Sequence, residues 1–145
     1  MAVIIITTRP FFNDLLKSGS KLLDKIQKGC HRVGISKSIV KAYEDAYKKH
    51  RCISIFPARR MDEVLGKLER EKKLTEIAPS GVKAKTKRVK IKGSMMKKHK
   101  KFVELSIALN ANYLITEASA HFSISDELKR KYNIEVVRPE EWYEE

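Results

Sequence analysis

Two groups of residues in this chain have the types and spacing for chemistry. The first is Thr116-Glu117-Ala118, which closes the short apolar run Tyr113-Leu114-Ile115. Ligands of parallel sheets bind beyond the carboxyl ends of the strands, so a carboxylate there is placed for metal or proton chemistry. The second group is cationic. Lys83, Lys85, Lys87, Arg88, Lys90, Lys92, Lys97, Lys98, Lys100 and Lys101 fall in one stretch, and no acidic residue occurs between Glu76 and Glu104. Such side chains contact phosphates, giving affinity and steep salt dependence but little sequence selectivity. Few aromatics interleave with the lysines, so a base-stacking platform is not indicated.

Other chemistries find less support. There is no P-loop and no dinucleotide fingerprint. His31, His50, His99 and His121 have no HxxxH or Cys/His spacing and are expected at the surface. No Gly-x-Ser-x-Gly elbow supports serine hydrolysis. Metal-assisted phosphodiester hydrolysis needs several carboxylates converging at strand ends. The relevant ends read Ile6-Thr7-Thr8 and Thr116-Glu117-Ala118, and they supply one acid between them.

The elements that must position these residues follow from periodicity. Phe102, Val103, Leu105, Ile107, Ala108 and Leu109 give a helical apolar face behind the lysine cluster, and Asn110-Ala111-Asn112 breaks it before the run at Tyr113. A helix feeding a short apolar strand is half of a βαβ unit. Ala2 to Thr7 is an unbroken β-branched run suited to a central strand buried on both faces. Arg9-Pro10 ends it, and Pro10 fits the first turn of a helix running through Phe11, Phe12, Leu15, Leu16, Leu22, Leu23 and Ile26, interrupted at Ser18-Gly19-Ser20 and stopped at Gly29. Val33-Gly34-Ile35 reads as a second strand, with Ser36 capping a helix to about Lys49. Cys52 to Phe56 fits either a strand or a helix continuation broken at Pro57. Met61, Val64, Leu65, Leu68 and Leu74 predict another helix, and Ile77 to Gly81 a loop. Val82 to Lys92 alternates lysine with small or apolar residues and then changes phase at Arg88, as a bulged strand or a mobile basic arm would. His121 to Lys131 predicts a last helix capped by Ser123 or Ser125. Ile134 to Val137 is a closing strand, and Arg138 to Tyr143 a docked tail.

The expected architecture is a three-layer α/β/α sandwich with a mostly parallel central sheet. At 145 residues it forms one domain, 1–145, with a basic strand or arm at about 82–101. A net charge of +13 argues for a polyanionic partner, most often nucleic acid. Cys30 and Cys52 lack metal-ligand spacing, so reduced thiols in an intracellular protein are expected. Val3-Ile4-Ile5-Ile6 is too short to cross a membrane, and there is no secretory signal. The expected location is the cytoplasm, without membrane partners.

Several motifs recur in a known order. Ile5-Ile6-Thr7-Thr8 takes the frame of an aliphatic-Asp-Thr-Asn strand, and Ser36 to Tyr43 that of a Ser-capped helix bearing an acid. Lys100-Lys101-Phe102-Val103-Glu104 and Leu114-Ile115-Thr116-Glu117-Ala118 take the places of an Asp-x-Phe-Leu-Glu-x-Ala helix and an aliphatic-aliphatic-Thr-x-Asp strand end. Pro139-Glu140-Glu141-Trp142 follows the closing strand. In this order the chain resembles the PIN-domain family, a metal-dependent ribonuclease fold that includes toxin and ribosome-maturation nucleases. The resemblance covers almost the whole chain and is strongest from Lys100 to Trp142. It implies four acids around one or two Mg²⁺ or Mn²⁺ ions, at positions that fall here on Ile6, Ala42, Lys100 and Ala118. None of these is acidic. A lysine in place of a metal ligand repels the ion and can contact a phosphate. The resemblance therefore implies a PIN scaffold without PIN catalysis, and dimerisation, common in the family, makes a homodimer a further partner.

The favoured reading is a catalytically inactive PIN-like domain that binds RNA, in a ribonucleoprotein or ribosome-associated role, with no cofactor. Its contacts are the ten cations named above, joined by Arg9 from the neighbouring strand end. The alternative is a divergent Mg²⁺- or Mn²⁺-dependent endoribonuclease with relocated acids Glu44, Glu104 and Glu117. Against it, Glu44 lies about 200° from Ala42 around a helix, at about 100° per residue.

Overall fold

The computed structural model describes residues 2–49, 58–89 and 95–144. Its five strands are β1 (Val3–Ile6), β2 (Arg32–Ile35), β3 (Leu74–Glu76), β4 (Tyr113–Ile115) and β5 (Glu135–Val137). Every neighbouring pair is parallel, and the order is β3-β2-β1-β4-β5. The chain thus builds outward from β1 to β3 and then returns past β1 to add β4 and β5. That reversal opens a crevice at the carboxyl ends of β1 and β4, where Ile6 is level with Ile115. Helices complete the three-layer α/β/α sandwich, and among the described residues none is long and apolar enough to cross a membrane.

The centre of the sheet is dictated by composition. Ile4, Ile5 and Ile6 are fully buried, as an unbroken β-branched run requires. Thr8–Pro10 forms α1 and continues into a π-helical turn, Phe11–Leu15, before Gly19 (φ +68°) reverses the chain. Ser20 caps α2 (Lys21–Lys28) by accepting from the Leu23 N–H at 2.9 Å. Ser36 does the same for α3 (Lys37–Lys49) through the Ile39 N–H at 3.3 Å. Helix α4 is Ala58–Arg70.

Three expectations need correction. Leu74, expected at the end of α4, begins β3 instead. Lys72 takes a left-handed φ of +59°, which ends the helix, and Val33 then donates to the Lys73 carbonyl to start the pairing with β2. A three-residue edge strand with no buried side chain leaves little hydrophobic signal. Residues expected as a loop and then a basic strand or arm instead form α5 (Pro79–Thr86), with Pro79 at its start. Lysine and alanine favour helix, and α5 gains tertiary support by packing on α6 (Lys97–Ala108). Alternate residues on a helix lie about 200° apart, so its lysines spread around the exposed surface rather than lining one face. The expected last helix divides into α7 (Ser119–Phe122) and α8 (Ser125–Tyr132). Neither serine caps α8: Ile124 is its N-cap, Ser125 is its first residue, and Ser123 Oγ donates back to Ala120. The run Cys52 to Phe56 and the segment around Lys90 and Lys92 lie outside the described residues.

Helix α6 packs over β1, β2 and β4. Its buried face is Phe102, Val103, Leu105, Ser106, Ile107 and Ala108, with Ser106 Oγ returned to the Phe102 carbonyl at 2.8 Å. Each large aliphatic side chain on that face contributes about 1.5–3 kcal/mol by leaving water. Asn110, at φ +52°, turns the chain, and Asn112 then donates to the Val3 carbonyl as β4 begins. The docked tail is α9 (Pro139–Tyr143), whose Trp142 is buried beneath Lys25 of α2, the ammonium 4.5 Å from the ring centre.

Candidate functional site

The crevice at the carboxyl ends of β1 and β4 is a cleft of about 590 Å³. One wall comes from α3, whose Ala42, Asp45, Ala46 and Lys49 follow the i, i+3, i+4, i+7 spacing of a single helix face. The facing wall is the first turns of α6, with Lys98, His99, Lys101 and Phe102. Thr7, Thr8 and Arg9 after β1, and Glu117, Ala118 and His121 after β4, complete it. The walls are fixed from behind by aromatic packing. Tyr43 stacks on Phe11 with centroids 3.8 Å apart and leans on Phe102 at 6.3 Å, while its hydroxyl donates to the Ile6 carbonyl. Burial pushes the Tyr43 phenol far above its ordinary range, so it serves as a neutral donor.

Four basic side chains, Arg9, Lys49, Lys98 and Lys101, line the cleft with two acidic ones, Asp45 and Glu117. Among the described residues none of the four cations enters an ion pair. Burial, reinforced by Lys98, holds the His99 imidazole below its ordinary range. Glu117 also acts on Asp14. Burial first, and then repulsion from Glu117, raise the Asp14 carboxyl above its usual range.

Of the predicted cations, the cleft gathers Arg9, Lys98 and Lys101. Lys97 and Lys100 are exposed on α6 outside its lining, and Lys83, Lys85, Lys87 and Arg88 are exposed on α5 and just beyond it. Lys90 and Lys92 lie outside the described residues. The three acids of the alternative reading stand in different places. Glu117 is in the cleft. Glu104 sits between α6 and α5, 3.4 Å from Thr86 Oγ1. Glu44 lines a separate hollow with Lys37, Lys41, Lys48 and Glu76.

Two of the four positions that the resemblance assigned to metal ligands, Ala42 and Ala118, do line the cleft. The other two are displaced by one residue. Ile6 is wholly buried and Thr7 takes its place, while Lys101 rather than Lys100 reaches the cleft. The side chains at those four positions are a threonine, two alanines and a lysine, none of which supplies a carboxylate oxygen for a hard divalent cation; the carboxylates of the cleft are Asp45 and Glu117. Among the described residues no group of three or more His, Cys, Asp or Glu is placed to hold a metal ion.

His121 also differs from expectation, being fully buried rather than at the surface. No spacing signal marks it, because its partners are a backbone carbonyl and a threonine. Lys49 and Asp45 were legible in principle, since both share the helix face of Ala42. Compared with protein-family models, curated proteins and solved structures, the chain finds no match.

Proposed function

We propose that this protein is a catalytically inactive PIN-like domain that binds RNA in its cleft, within a cytoplasmic ribonucleoprotein or ribosome-associated assembly. The observation that carries this reading is the convergence of Arg9, Lys49, Lys98 and Lys101, from three separate parts of the chain, on one concave site without ion-pair partners among the described residues. Cations left unpaired in a groove attract a polyanion more strongly than the same charges spread over a convex surface. The exposed lysines of α5 and α6 add to the positive field of the surface outside the cleft. Phe102 lines the cleft but is only 3% exposed, so it offers no face for a base and the contacts are to phosphate.

The test is titration of a labelled RNA with the full chain at low and high salt, with total RNA or an acidic protein as competitor. The reading expects binding that weakens steeply with salt and is displaced by RNA. Displacement by the acidic protein but not by RNA would instead identify an acidic protein partner.

A further inference from the structure

A buried hydrogen-bonded chain joins the two sides of the cleft. His121 Nε2 is 2.9 Å from the His99 carbonyl oxygen, and Nδ1 is 2.7 Å from Thr116 Oγ1. The carbonyl can only accept, so Nε2 carries a proton and donates to it. In the neutral ring Nδ1 then accepts from the Thr116 hydroxyl, and Thr116 Oγ1 accepts from the Ala118 N–H at 3.1 Å. Only the neutral tautomer with its proton on Nε2 satisfies every member. One end of this chain is the turn bearing Glu117 and Ala118. The other is the first two turns of α6, which carry Lys98 and Lys101.

We propose that His121 is a positioning residue for the RNA site read above, a latch that holds the lysines of α6 in place while its ring is neutral and releases them when the ring is protonated. A protonated ring would present an Nδ1–H to Thr116 Oγ1 and leave the threonine proton without an acceptor in a buried place. The surroundings oppose the added charge. Facing it across the cleft are Lys98, His99 and Lys101 of α6, Arg9 after β1, and Lys49 with Asp45 on α3; Glu117 stands on its own turn. Arg138 lies over the neighbouring Phe122 ring at 5.5 Å. Burial also holds the ring below its ordinary range. The hydrogen bond to the His99 carbonyl works in the opposite sense, and the His99 ring adds to the lowering.

The test compares the affinity of the full chain for a labelled oligo(U) across pH with that of His121→Gln. Glutamine offers an amide NH2 that donates and a carbonyl oxygen that accepts, but it does not titrate. The lysines are common to both proteins; the His99 ring lies 5.3 Å from that of His121, so the titration of His99 is followed in each protein and the ratio of wild-type to variant affinity is read against it. The ratio is expected to be flat at and above the ordinary imidazole value of about 6.5 and to fall severalfold only on the acid side of it, since burial lowers the ring. A flat ratio throughout overturns the latch, and so does a rising one, which would make His121 a further phosphate cation.

A second measurement decides if the variant fails to fold. In the wild type, the amides of Lys100, Lys101 and Phe102 should lose exchange protection on the pH step at which the His121 ring nitrogens show protonation. Retained protection through that step, or a ring neutral until the whole chain unfolds, overturns the proposal. Absence of oligo(U) binding with the amide step present would remove the RNA reading alone.

Discussion

Replacing Arg9, Lys98 and Lys101 together by alanine removes three of the four cleft cations while leaving the aromatic wall of Phe11, Tyr43 and Phe102 untouched. For single-stranded nucleic acid each phosphate contact contributes about 0.7 to the slope of log affinity against log salt, so the triple variant should lose about 2 in slope. Carried from about 1 M to about 0.1 M salt, that is a loss of roughly 100-fold in affinity. The matched control is Lys83, Lys85 and Lys87 to alanine, which removes the same charge from the exposed surface of α5 and its C-cap. Its effect should be much smaller, because charges outside the cleft act across a screening length of about 10 Å at about 0.1 M salt. The assay is fluorescence anisotropy of a labelled RNA over a salt series, with circular dichroism to confirm folding. Equal losses from the two variants, or a larger loss from the α5 set, would refute the assignment of the site to the cleft.

Two further predictions concern stability. Asp14 has its folded-state pKa raised by burial and by Glu117, so its contribution is favourable in acid and lost as pH rises through that value. Asp14→Asn should therefore raise the urea midpoint at neutral pH but not at about pH 3, below the ordinary carboxylate value; a variant less stable at neutral pH would contradict this. Trp142 is 1% exposed and anchors α9 against α2, so Trp142→Ala should cost about 3–5 kcal/mol in urea unfolding. A cost below about 1 kcal/mol would mean that α9 is not docked as described.

Much of the framework was legible because burial on both faces leaves a strong mark. The run from Val3 to Ile6, the helix of α6 and the strand before Thr116 were all readable from apolar pattern alone. β3 was not, since its register is imposed by β2 rather than by its own side chains. α5 misled because alternating lysines imitate a strand, whereas its packing on α6 decides the matter. For the site, the sequence pointed to the right strand ends but placed two cleft positions one residue early, at Ile6 and Lys100. Which residue of a strand end or helix turn meets the cleft depends on where the element stops, and the pattern does not fix that to one residue. The His121 chain was hidden because it is built from backbone groups and a hydroxyl.

The central claim is that the cleft binds RNA without cutting it. The most direct measurement incubates the purified protein with a labelled RNA in Mg²⁺ and in Mn²⁺ and follows both binding and product formation. The account predicts salt-sensitive binding with the RNA left intact in either metal. Metal-dependent cleavage that disappears in Glu117→Gln would contradict it and make the acid at the end of β4 a catalytic residue.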